Sequence, residues 1–186
     1  MKYPLLALRR FRLLLTILAL GGLLLAGCAT VGPKEHYKRG KELFNHDKFA
    51  EAEKEFREVI RQTPDSVLQM PDSAWVYHWL GWSIERQKRY EDAAQVYREA
   101  IRLQPKWAEG FSRLGGVLLL QGKLAEAEEA NREAVRLSPG DFMHLEVLAF
   151  ILDKEGKRGE ARKYWLKALQ VDPDKEWIKK RLAEPD

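Results

Sequence analysis

From residue 34 onward, apolar side chains recur at spacings of three and four in short blocks, and the blocks come in pairs. One block reads Tyr77, Leu80, Gly81, Ile84, and the next reads Ala93, Tyr97, Ala100. Such spacing stacks side chains on one face of a helix, whereas a half-buried strand would alternate at every second residue. The pattern predicts paired helices separated by proline-containing breaks. Pro64, Pro105, Pro139 and Pro173 fall 41, 34 and 34 residues apart, so the pairs recur with a fixed period.

Four copies line up. The second carries Tyr77, Leu80-Gly81, Ile84, Tyr90, Ala93, Tyr97, Ala100 and Pro105. The third has Phe111, Leu114-Gly115, Leu118, Gly122, Ala127, Ala134 and Pro139, with Asn131 where the others place an aromatic. The fourth has Leu145, Leu148-Ala149, Leu152, Gly156, Ala161, Trp165, Ala168 and Pro173. The first is weaker at its start (His36, Arg39-Gly40, Leu43) and regular in Phe49, Ala52, Phe56, Val59 and Pro64. These positions resemble the tetratricopeptide repeat family over residues 34–173.

The resemblance implies an all-α fold: a right-handed superhelical solenoid of about four helix-turn-helix repeats (34–64, 74–105, 108–139, 142–173). A 65–73 insertion accounts for the longer first spacing. It is either a longer second helix or a loop, with Val67, Leu68 and Met70 buried against neighbouring repeats or forming a flap. Residues 174–186 read as a C-terminal capping helix, with Trp177 and Ile178 covering the last repeat and Lys175, Lys179 and Lys180 meeting water.

Residues 1–27 are of another kind. Lys2, Arg9, Arg10 and Arg12 form a basic segment without acids, followed by the apolar run from Leu13 to Ala26. An apolar core of about 14 residues has signal-peptide length rather than the ~20 of a membrane-spanning helix. With no charge between Arg12 and Lys34, an uncleaved single-span anchor stays geometrically open. Leu25-Ala26-Gly27-Cys28 resembles a bacterial lipobox. The resemblance implies cleavage between Gly27 and Cys28 and a diacylglycerol on Cys28, with palmitate-type acyl chains holding the protein on a membrane. The alternative is an unmodified Cys28 in an ordinary signal peptide or anchor. Residues 28–33 would then be a short tether, keeping the folded part close to the bilayer in the cell envelope. By resemblance to lipoprotein sorting, Ala29 after the cysteine favours the outer membrane, facing the periplasm, if the source is Gram-negative.

Charge narrows the choice of partners. The formal net charge of +4 comes from the leader: without its four basic residues, the remaining 28 Lys+Arg match the chain's 28 Asp+Glu. No basic surplus is left to neutralise a phosphate backbone, so nucleic acid is not an expected partner. A single cysteine excludes an intrachain disulfide and a cysteine-clustered zinc site. His36, His46, His78 and His144 never pair at helical ligand spacing, and no nucleophile elbow, P-loop or dinucleotide glycine motif occurs. Neither metal, cofactor nor enzymatic activity is expected, and an envelope hydrolase lacks a constellation to carry it.

One helix has more aromatic residues than a core stripe needs. Beside Tyr77, Leu80, Gly81 and Ile84 runs a second stripe of Trp75, His78, Trp79, Trp82 and Arg86. In the family, such first-helix positions line a concave groove. The resemblance therefore places Tyr37, Lys41 and Phe44 of repeat one, Arg113, Leu119 and Leu120 of repeat three, and Met143, Val147 and Phe150 of repeat four beside that stripe, with Lys34 at one end. Aromatic side chains beside cations have the composition of a binding hot spot. The expected function is a non-catalytic adaptor that takes a peptide or helix of a protein partner in this groove. Supporting pilus or secretion machinery, outer-membrane assembly and peptidoglycan-enzyme recruitment are not distinguished. A second reading of the tryptophans is gap filling between repeats, and a second reading of the protein is a self-associating structural lipoprotein, a homo-oligomer. The family's carboxylate clamp is absent, since Tyr37, Lys41, Ser112, Arg113 and Gly116 occupy its places.

Overall fold

A computed structural model of the protein describes residues 31–63 and 74–183. Cys28 with its lipobox, the leader and the 65–73 insertion lie outside the described residues. Among the described residues there are nine α-helices and no strand. They are α1 (Pro33–Asn45), α2 (Phe49–Gln62), α3 (Ala74–Arg86), α4 (Tyr90–Leu103), α5 (Ala108–Leu120), α6 (Leu124–Leu137), α7 (Phe142–Lys154), α8 (Arg158–Val171) and α9 (Glu176–Ala183).

Each helix pair closes through the same turn. Asp47, Lys88, Gly122 and Gly156 sit in the left-handed region, with φ of 58, 62, 75 and 77°. One residue later, the amides of Lys48, Arg89, Lys123 and Lys157 donate back to the carbonyls of Leu43, Ile84, Leu118 and Leu152 at 2.9, 3.3, 3.0 and 2.9 Å. That reversal satisfies carbonyls which a helix end leaves without partners, and it turns the chain sharply enough to lay the next helix antiparallel.

The paired helices then meet through a small residue. A Cβ added at Gly40 would lie 2.7 Å from the Phe56 ring, and one at Gly81 2.5 Å from the Tyr97 ring. Both rings are fully buried, as are Ala52 and Ala93 opposite them. In the third pair Asn131 takes the aromatic's place against Gly115. Its Nδ2 donates to the Ala127 carbonyl at 3.1 Å, and its buried Oδ1 has no donor among the described residues. In the fourth pair Ala149 and Trp165 are buried, and the Trp165 indole N–H donates to Asp153 at 3.0 Å.

Successive pairs are stitched by apolar packing and ion pairs. Glu53 of α2 accepts from Arg57, Gln87 and Arg89 at 3.0, 2.9 and 2.7 Å. Burial raises its carboxyl, but the hydrogen bonds from Gln87 and Arg57 and the charge of Arg89 outweigh that and leave its pKa below the ordinary value. Glu91–Lys123 at 3.0 Å and Glu128–Lys157 at 2.5 Å repeat the clasp at the next two junctions. Second helices pack on the first helix of the following pair, and first helices also touch one another: α1 with α3, α3 with α5, α5 with α7. Second helices approach each other less, so the stack curves toward the first-helix side, which becomes its inner face.

The end of the stack differs in detail from the sequence expectation. Ile178 of α9 is fully buried against α8, but Trp177 stands half exposed, edge-on to Trp165 at 5.2 Å. Lys175 meets water with only part of its side chain, which is 38% exposed. It lies 5.0 Å from the Phe142 ring and pairs with Asp172 at 3.0 Å, because its aliphatic stem covers apolar surface at the mouth of α7.

Candidate functional site

The repeat register places equivalent residues of α1, α3, α5 and α7 side by side across the inner face. One row reads Lys41, Trp82, Gly116, Phe150, and the row two turns earlier reads Lys34, Trp75, Glu109, Met143. The exposed side chains mark where solvent reaches this face: Trp75 at 51%, Leu120 at 53%, Met143 at 51% and Phe150 at 44%. They are half of the large apolar side chains left exposed among the described residues, so the exposed apolar surface is concentrated here rather than scattered.

The two stripes of α3 have different fates. Tyr77, Leu80, Gly81 and Ile84 are buried between helices, as their spacing implies. On the second stripe, Trp79 and Trp82 are half-buried in an aromatic cluster shared with α1 and α2. Ring centroids lie 4.5 Å apart for Phe44–Trp82, 5.2 Å for Phe44–Trp79, 5.4 Å for Trp79–Trp82 and 5.5 Å for His78–Trp82. Each tryptophan thus packs with one part of its ring and surfaces with the other. Phe44 and His78 take a different place from the rest of the expected groove. Both are buried beneath it, where they set the tilt of the tryptophans and do not themselves meet solvent.

Cations cover the aromatic floor. The Lys41 ammonium sits 5.4 Å from the Trp79 ring and 5.8 Å from Tyr37, Arg113 lies 5.1 Å from Trp82, and Arg86 lies 4.5 Å from Phe49. At the far end Lys154 lies 5.4 Å from Phe150. These contacts hold flexible charged side chains flat against the rings while leaving their charge facing outward.

Glu109 is the electrostatic node that sequence reading missed. It accepts from Arg113 Nε at 2.7 Å, has His144 Nε2 of α7 at 3.4 Å from its other oxygen, and lies 3.9 Å from His78 Nδ1 of α3. One carboxylate therefore bonds α5 to α7 and lies beside, without bonding, the buried His78 Nδ1 of α3. Burial raises its carboxyl, but the His144 hydrogen bond and the Arg113 charge outweigh this and hold its pKa below the ordinary range. For His78, burial dominates, the Arg113 charge adds to it, and Glu109 opposes. The imidazole is pushed down to about 4 and stays neutral near neutral pH. The available signal was the 34-residue offset that puts Glu109 in register with Trp75. Histidines 66 positions apart do not show their common neighbour until the solenoid is built.

Among the described residues, no three His, Cys, Asp or Glu side chains gather as a metal-ligand set, and no helix is long and apolar enough to cross a membrane. What the inner face offers chemically is apolar contact area, aromatic rings and positive charge.

A tetratricopeptide repeat model matches residues 37–108 and 108–142. Among solved structures, a crystal structure of MamA is 22% identical and superimposes with a TM-score of 0.67, covering 84% of this chain and 86% of that one. YrrB, described as a TPR protein with an unusual peptide-binding site, is 17% identical over 80% of this chain and 73% of its own, with a TM-score of 0.66. The first TPR of Spaghetti (RPAP3), bound to the HSP90 peptide SRMEEVD, is 19% identical over 61% of this chain and 90% of its own, with a TM-score of 0.59. No curated protein sequence matches the chain.

Proposed function

Because the chain belongs to the tetratricopeptide repeat family, we propose that it is a non-catalytic adaptor that holds a peptide or helix of a protein partner on the inner face of its solenoid. The observation that carries this reading is the exposed apolar surface of Trp75, Leu120, Met143 and Phe150, collected on one face and bordered by cations. A fold that needed these side chains for stability would bury them, since each fully buried large side chain is worth about 1.5–3 kcal/mol. Two proteins of the same fold are described by their peptide site or bound peptide, which supports a peptide as the kind of ligand.

The adaptor acts from a membrane surface. Cys28 carries the lipid anchor, Gly27–Cys28 is the processing site, and the short stretch to α1 keeps the groove near the bilayer of the cell envelope, on the periplasmic side of the outer membrane in a Gram-negative source. The support is the lipobox pattern Leu25-Ala26-Gly27-Cys28 at the end of the apolar run.

In-cell cross-linking and pull-down of wild type against Trp75→Ala/Phe150→Ala tests the groove. Both side chains are about half exposed, so the variant keeps its fold. A defined envelope protein captured by wild type and lost in the variant is the expected result, and an unchanged partner list would move the binding surface elsewhere. For the anchor, Cys28→Ser abolishes lipid labelling and membrane retention. Normal labelling of that variant would remove the anchor from the account.

A further inference from the structure

The inner face contains a glycine that the fold does not ask for. Gly40, Gly81, Gly110 and Gly115 each sit where an added Cβ would run into a neighbouring side chain. Gly116, in the middle of α5, would meet nothing within 4 Å and has no left-handed φ. Glycine is among the least favourable residues for a helix interior, because its backbone loses the most freedom on folding. At Gly116 neither close packing nor an unusual backbone within this chain accounts for it. Gly159 is also open, but it lies in the first turn of α8.

The register explains what the missing side chain leaves behind. Gly116 stands in the row between Trp82 on α3 and Phe150 on α7, one turn from the exposed Leu120. An aromatic wall on either side and bare backbone between them make a notch with an apolar rim. Lysines of the inner face lie on both sides of it, Lys41 on α1 and Lys154 on α7. Lys34, Lys41 and Lys154 have no acidic partner within 4 Å among the described residues, and two of them lie over aromatic rings. Of the acids on these helices, Glu109 is committed to Arg113 and His144, and Asp153 to Trp165 and Arg181.

We propose that the notch over Gly116 seats one bulky apolar side chain of an acidic segment from a partner protein, with that segment's carboxylates facing Lys41 and Lys154. This deepens, and rests on, the reading of the inner face as a partner groove. The anchor residue stacks between Trp82 and Phe150 and approaches the α5 backbone more closely than any other first-helix residue of this row would allow. Acidic neighbours on both sides of the anchor meet the lysines that flank the notch, so charge sets the register of the segment and the notch fixes its centre.

The test uses fluorescence anisotropy with three labelled synthetic peptides of about a dozen residues: one with Asp and Glu flanking a central Trp, one with that Trp changed to Ala, and one with Lys replacing the acids. The acidic Trp peptide should bind at least about tenfold tighter than either control, and more weakly as salt rises. Gly116→Leu fills the notch without touching the core and should weaken that peptide at least about tenfold, with a melting temperature equal to or above that of wild type. Lys41→Glu/Lys154→Glu should invert the preference between acidic and basic peptides. Equal binding of all three peptides, binding of none, or a Gly116→Leu variant that binds like wild type would overturn the proposal. If Trp75→Ala/Phe150→Ala still loses its cellular partner in those cases, the groove itself stands and only the notch assignment falls. A dimer that forms without peptide and is broken by Gly116→Leu would make the occupant a second copy and equally overturn the assignment.

Discussion

His78 ties the stability of the inner face to pH. Its imidazole is 5% exposed, and its pKa falls from 6.5 to about 4, first because burial disfavours the charged ring and then because Arg113 lies close by. In the unfolded chain the ring titrates near 6.5. Between the two values the unfolded state binds the proton and the folded state does not, so stability rises with pH across this window. The contribution is fully present above about 6.5 and is lost as pH falls toward 4. Linkage with these two values gives a loss of about 2 kcal/mol between pH 7 and pH 5. The assay is urea unfolding followed by circular dichroism at several pH values for wild type and His78→Phe. The substitution keeps a ring in the aromatic cluster and removes the titrating group. The other histidines are common to both proteins and cancel in the difference, and the Glu109 carboxyl is held below its ordinary value by His144 and Arg113. The stability difference between the two proteins should therefore shift by about 2 kcal/mol in favour of the variant from pH 7 to pH 5. Parallel pH profiles would refute the reasoning, because they would mean that solvent reaches the ring or that Glu109 supports its protonated form.

Three further outcomes follow from local geometry. Gly81→Ala should destabilise by about 1–3 kcal/mol, because its Cβ would press on a Tyr97 ring that is fully buried and has nowhere to move, while Gly116→Ala should stabilise by up to about 1 kcal/mol; thermal melts of the two variants give opposite signs or the packing account fails. Lys88→Gly should raise the melting temperature by a few degrees, worth roughly 0.5–1 kcal/mol, because Lys88 holds the left-handed turn position with φ of 62° that Gly122 and Gly156 occupy without strain. Asn131→Leu should stabilise by about 1 kcal/mol in urea titrations, since it removes a buried carboxamide oxygen with no donor among the described residues and keeps nearly the same volume.

Much of the architecture is legible in the chain because it is written in local and periodic terms. The helical spacing of Tyr77, Leu80, Gly81 and Ile84 reappears at each repeat, and a glycine facing an aromatic, as Gly40 faces Phe56, fixes how closely two helices approach. The inner-face side chains of α1, α3, α5 and α7 could be named in advance for the same reason, since their register is the repeat period. Solvent exposure was not legible in this way. Trp75, Trp79 and Trp82 are the same residue type on one helix, and what separates the exposed first from the half-buried other two is Phe44 of the preceding repeat, which packs against the latter pair.

The sequence by itself determined the helix pairs, their number and their order, because each pair is specified by contacts between residues fewer than 34 positions apart. Tertiary structure alone decided what lies between repeats. It put His78 and His144 on either side of Glu109, laid Lys41 over Trp79, and left Gly116 bare between Trp82 and Phe150. These are relations between residues of different repeats, set by how successive pairs stack and curve, and a one-dimensional pattern holds no record of that curvature until the helices are packed.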